Sequence, residues 1–131
     1  MTAEPRMKLA ATVLDGPDAR VLAEFYRRLL GWEIEVDEPD WVELRAPGGG
    51  TGSGGTALSF QTEGNYVAPV WPAGPGDPQM SIHLDIEVDD LDAAEAHALA
   101  AGARLAEFQP QDHVRVFQDP AGHPFCLFRP E

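Results

Sequence analysis

Gly31 and Gly102 each close a helical stretch and stand 71 residues apart, while Pro47 and Pro120, each in a turn ahead of a strand pattern, stand 73 apart. A chain of 131 residues must therefore accommodate two copies of one supersecondary unit. In the first copy the apolar run LAATVL (9–14) ends at the Asp15, Gly16, Pro17 turn, and Asp18 stands where it can cap a helix. From Ala19 to Leu30 the apolar positions Val21, Leu22, Phe25, Leu29 and Leu30 recur at helical spacing, with Glu24, Arg27 and Arg28 opposite. Strand patterns follow at 32–37, 41–46 and 56–61. The glycine-rich 48–55 segment reads as a hairpin loop and not a phosphate loop, because no lysine follows and no helix begins after it. The second copy has a strand at 80–88, an acidic Asp89 to Asp92 turn, an alanine-rich helix to Ala101, and strand patterns at 103–108, 113–118 and 124–129. Between the copies, proline and glycine surround Tyr66 and Trp71 in a long irregular connection, a kind of segment that often carries function.

The strand opening the second copy has two faces. Residues 81–90 alternate so that Leu84, Ile86 and Val88 point one way and His83, Asp85 and Glu87 the other. The apolar row must pack, and the polar row must face water, a cavity or a ligand, because unpaired charge is expensive to bury.

Charge narrows the partners. With 22 acidic against 9 basic residues the formal net charge is −13, which repels phosphate backbones and anionic lipid headgroups. Neither nucleic acid nor a membrane surface is an expected partner. No apolar run approaches the roughly 20 residues needed to span a bilayer, and the first residues lack a signal-peptide core and cleavage site. A cytoplasmic location is expected. Cys126 stands alone, so no intrachain disulfide and no multi-cysteine zinc site can form.

The phrases LAEFYRRLLGWE, HLDIEVDDLDAAEAHALAAGARL and FQDPAGHPFCLF, set in the duplicated pattern, resemble the vicinal oxygen chelate superfamily. Its members include glyoxalase I, bleomycin-resistance proteins, fosfomycin-resistance enzymes, methylmalonyl-CoA epimerase and extradiol dioxygenases. The resemblance implies one α+β domain over 1–131: two tandem βαβββ modules (about 8–62 and 80–130, joined by a loop at about 63–79) forming a cup-shaped mixed sheet with helices outside. It also implies a homodimer, and up to four inward metal ligands from the first and last strands of each module. His83 fills one such position and Cys126 another. The equivalents in the first module are Leu9, or Ala11 if the turn is aligned without a gap, and Ser59, with Gln61 two residues on. Enzymatic metal sites generally need three protein ligands, and Asp85, about 6.6 Å along the strand from His83, is a poor third. No metal or other cofactor is expected; a divalent metal through His83 and Cys126 is the lesser alternative.

A glyoxalase-like protein is thus expected to bind a small organic molecule in a cavity lined by Ser59, Gln61, His83, Asp85, Glu87 and Cys126 and roofed by Tyr66 and Trp71. Lyase or isomerase activity is an open question, with His83 as the candidate acid or base because its ordinary pKa lies near neutrality. The alternative is a non-catalytic protein that sequesters its ligand, as bleomycin-resistance proteins do. His97, His113 and His123 read as surface residues, and Trp32, Trp41, Phe60, Phe117 and Phe128 as core.

Overall fold

In the computed structural model, which describes residues 5–47 and 57–130, each helix starts on an aspartate and stops on a glycine. Asp18 accepts from the backbone N–H groups of Arg20 and Val21 to start α1 (Ala19–Leu30), and Asp90 accepts from that of Ala93 to start α2 (Leu91–Ala101). Gly31 ends α1 at φ 73°, a left-handed conformation that costs glycine nothing. The carbonyls of Arg28 and Leu29, which lack helical partners, face His97 Nε2 of α2 at 3.1 Å each.

Among the described residues there are eight strands: β1 (Ala11–Gly16), β2 (Glu33–Glu38), β3 (Trp41–Arg45), β4 (Ala57–Thr62), β5 (Leu84–Glu87), β6 (Arg104–Leu105), β7 (Val114–Gln118) and β8 (Pro124–Phe128). They form two four-stranded sheets of identical connectivity, ordered β1-β4-β3-β2 and β5-β8-β7-β6. In each, the first and last strands pair in parallel and the others antiparallel. The fold is α+β, two tandem βαβββ modules, as the repeat predicts. The glycine-rich 48–55 segment lies outside the described residues.

Several boundaries move, each for a local reason. β1 continues through Asp15 and Gly16, which were expected in the turn, because they pair with Gln61 and Thr62 of β4. Leu9 falls before the strand and is 74 % exposed. β6 is two residues long and not the six of 103–108. There the Gln109 side chain takes over the ladder: its Nε2 donates to the carbonyls of Ala106 (2.7 Å) and Val116 (2.8 Å), and its Oε1 accepts from Val116 N–H (2.8 Å).

One core cluster spans both modules. The buried face of α1 carries Leu22, Phe25 and Tyr26. Tyr26 stacks on Phe60 of its own module at 5.5 Å, and both Phe25 and Tyr26 touch Phe125 of β8, at 5.8 and 6.2 Å. Phe117 stacks on Phe125 at 5.5 Å. By contrast α2 fully buries only Ala98 and is clamped from outside, where Arg115 of β7 reaches Asp92 and Glu95. Phe60 and Phe117 are core as expected; Trp32, Trp41 and Phe128 are only half-buried, and the Trp41 indole N–H donates to Glu43 (2.7 Å).

Candidate functional site

Parallel pairing of first and last strands brings the polar rows together. Asp85 of β5 lies opposite Cys126 of β8, and Val13 of β1 lies opposite Ser59 of β4. Because Asp18 and Asp90 both cap their helices, the modules align without a gap at the turn, so Ala11 and not Leu9 stands where His83 stands in the second module. His83, just ahead of β5, turns its Nε2 to within 3.0 Å of Asp85 Oδ1, and donor atoms of His83, Asp85 and Cys126 lie within 4.8 Å of one another. Glu87 continues this exposed row opposite Phe128.

The metal positions are thus filled by His83 and Cys126 from one module and by Ala11 and Ser59 from the other. Neither Ala11 nor Ser59 supplies an imidazole, thiolate or carboxylate, and Ser59 is 1 % exposed. The donor set does not fit the two-module chelate of the superfamily, although Asp85, expected from strand spacing to be a poor third, does join His83 and Cys126 because its side chain turns toward both. Burial, and then the negative charge of Asp85, push the Cys126 thiol up to about 11. Iodoacetamide at pH 8 should therefore alkylate Cys126 at least about tenfold more slowly than a small thiol of pKa near 9, because the thiolate fraction falls further than the greater nucleophilicity of a more basic thiolate makes up. A rate equal to that of the free thiol would show that the group is not held protonated.

A second cluster forms where the connecting segment folds back on β1. Here a cavity of about 220 Å³ is walled by Val13, Asp15, Tyr66, Met80, Ile82 and His123, among others. Asp15 Oδ1 accepts from Gln61 Nε2 (2.7 Å) across the β1–β4 pair. The Tyr66 hydroxyl donates to the Ala121 carbonyl (2.9 Å) and lies 3.2 Å from His123 Nε2. On the far side of that ring, His123 Nδ1 is 2.8 Å from Asp119 Oδ2. Burial, then the charges of Asp119 and Asp15, push the Tyr66 hydroxyl up to about 12, so it stays protonated at neutral pH.

Asp119 anchors this arrangement. It is 2 % exposed and also accepts from the Tyr26 hydroxyl (2.7 Å) and the backbone N–H groups of Ala121 (2.9 Å) and His123 (3.0 Å). An acceptor-only carboxylate facing Nδ1 assigns the ring hydrogen to that nitrogen in the neutral imidazole, which leaves Nε2 toward Tyr66. Gly122, at φ 92°, lets the connecting segment approach: a Cβ there would stand 2.9 Å from that of Ala68.

His123 is therefore not the surface residue expected from its place in a turn; its side chain is 14 % exposed. The missed signal is its spacing in DPAGH, four residues after an aspartate that bonds both its backbone and its ring. Of the other expected residues, Tyr66 lines the cavity and Gln61 holds Asp15, whereas Ser59 is buried in register with Val13 and Glu43. His83 follows Ile82 of the cavity wall but is not itself part of it. Trp71 does not join Tyr66 as a roof. It packs on Phe108 at 5.9 Å, its indole N–H 3.4 Å from the Phe108 carbonyl, because that exposed ring offers apolar area nearby.

Comparison with known proteins bears on this fold. No curated protein sequence matches the chain significantly. Among solved structures, a glyoxalase/bleomycin resistance protein from Albidiferax ferrireducens is similar with TM-score 0.62 and 19% identity, covering 94% of this chain and 98% of its own. A glyoxalase/bleomycin resistance protein/dioxygenase family enzyme from Burkholderia phytofirmans gives TM-score 0.65 at 17% identity, with 92% and 96% covered. An antibiotic-binding protein from a Streptomyces species gives 0.60 at 20% identity, with 98% and 100% covered. These identities carry the fold alone. The family model described as a glyoxalase-like domain matches residues 11–128, and with nearly the whole chain inside that match, the protein belongs to the glyoxalase-like family of the vicinal oxygen chelate superfamily.

Proposed function

We propose that this protein binds a small organic molecule and does so without a resident metal. The observation that carries the reading is the cavity where Asp15, Tyr66 and His123 converge with a wall of mixed polar and apolar residues, a concave site with several polar groups to fix a ligand. Support for the metal-free part comes from the first module, which offers Ala11 and Ser59 at two of four donor positions. In the catalytic form of this reading, a lyase or isomerase, His83, next in the chain to Ile82 of the cavity wall, moves a proton, with the Asp85 carboxylate 3.0 Å from its Nε2 as a charged neighbour. A second form, sequestration without turnover, is favoured by the similarity to a protein that binds an antibiotic. A homodimer in the cytoplasm, by analogy with the superfamily, completes the proposal.

The test is thermal stabilisation of tag-free protein across a metabolite and antibiotic panel, together with elemental analysis. A true ligand at a hundred times its Kd should stabilise the fold by about 2.7 kcal/mol. Metal is expected well below stoichiometric; a stoichiometric metal lost in His83→Ala would overturn the metal-free reading. Turnover abolished in His83→Ala with ligand binding retained would select the enzyme. Binding without product under any condition would select sequestration.

A further inference from the structure

The geometry points to a small organic cation, an amine with a compact apolar body, as the ligand class of the cavity between β1 and the connecting segment. This rests on the small-molecule reading above and narrows it. Among the described residues lining the cavity, Asp15 is a carboxylate and none is a lysine or arginine. His123 does not reverse that sign, because its ring is bound to the buried carboxylate of Asp119. A carboxylate or phosphate on the ligand would therefore meet like charge with no cation to receive it, whereas an ammonium finds a counter-ion.

Asp15 is also held ready. Gln61 Nε2 fixes one of its oxygens across the parallel pair, so little side-chain freedom is left to lose on binding. Tyr66 adds a second contact: its one hydroxyl hydrogen is shared between the Ala121 carbonyl and the unprotonated His123 Nε2, which leaves the oxygen a lone pair for an N–H donor, and its ring adds aromatic surface to the lining. Val13, Met80 and Ile82 supply apolar wall, and Met80 adds a polarisable sulfur. At about 220 Å³ the space is smaller than the roughly 300–1,000 Å³ of drug-sized sites, which favours a single-ring or short-chain body. The net charge of −13 draws cations toward the whole molecule.

Benzylamine, benzyl alcohol and benzoate share one shape and differ in charge, so they isolate this claim. Titrated into the whole purified chain at pH 7 and followed by amide NMR shifts, benzylamine should bind at least about tenfold more tightly than benzyl alcohol, and benzoate should not bind. The shifts should centre on Asp15, Tyr66 and Ile82. Asp15→Asn should weaken benzylamine about tenfold and leave benzyl alcohol within about twofold. Asp112→Asn, which removes an exposed charge elsewhere, should change neither and so separates the site from general attraction. Benzoate binding as well as benzylamine, an unaffected Asp15→Asn, or shifts centred elsewhere would overturn the inference. Where Asp15→Asn does not fold, the wild-type order of the three probes and the location of their shifts decide alone. If none of the probes binds but a panel compound stabilises the protein, the cation inference fails and the small-molecule reading stands; if the panel is also blank, both fail.

Discussion

Asp119→Ala is expected to lower the free energy of unfolding by about 4 kcal/mol, a large part of the roughly 5–15 kcal/mol that holds a domain of this kind. The carboxylate receives the Tyr26 hydroxyl, the His123 ring and two backbone N–H groups, and it does so with almost no exposure. Removing it strands the Tyr26 hydroxyl among aromatic rings, where Tyr26 is itself 0% exposed, and each stranded buried donor costs about 1–3 kcal/mol. Guanidinium chloride unfolding measures the change. Tyr26→Phe removes one donor and should cost about 1–2 kcal/mol, and the double variant should cost less than the two singles combined, because the hydroxyl is then no longer left without an acceptor. A loss under about 1.5 kcal/mol for Asp119→Ala would mean that water replaces the carboxylate and that the turn does not depend on it.

Phe125→Ala is expected to cost about 3–5 kcal/mol by the same measurement. The ring is fully buried and packs with Phe25 and Tyr26 of α1 and with Phe117 of β7, so its removal opens a void where the modules share their core. Collapse around the void is limited, because three of its neighbours are themselves large rigid rings. The wild-type protein should unfold in one transition, since a core common to both modules makes neither stable alone. Two separated transitions in the wild type, or a loss below about 1 kcal/mol in the variant, would show that Phe125 does not join the modules.

The legible parts of the fold were those written in neighbouring residues. Asp18 and Gly31 give α1 its limits, and Asp90 and Gly102 do the same for α2, because a cap is a contact between a side chain and backbone a few residues away. The apolar spacing of α1 named Leu22 and Phe25 of its buried face, but Val21 is 55 % exposed and Tyr26, which the spacing left out, is fully buried. The polar row His83, Asp85, Glu87 was legible too, since alternation follows from the strand's own geometry. β6 was not, because Gln109 replaces its ladder only once β7 is alongside. Nor was the splitting of Tyr66 from Trp71: an irregular segment rich in proline and glycine carries no period from which to read where each ring settles.

His123 marks the boundary most clearly. Its chain neighbours describe a turn, and a histidine in a turn is ordinarily exposed. What buries it is Asp119 below, tied to Tyr26 across 93 residues, and Tyr66 above, brought in across 57. The sequence by itself determined the duplicated modules, their helix limits and the lack of strong metal donors at residues 9, 11 and 59, all of which depend on residue type and local spacing. Only the tertiary structure decided that Asp15, Tyr66 and His123 face one cavity, because that meeting depends on long-range packing, whose partners lie too far apart in the chain to leave a local pattern.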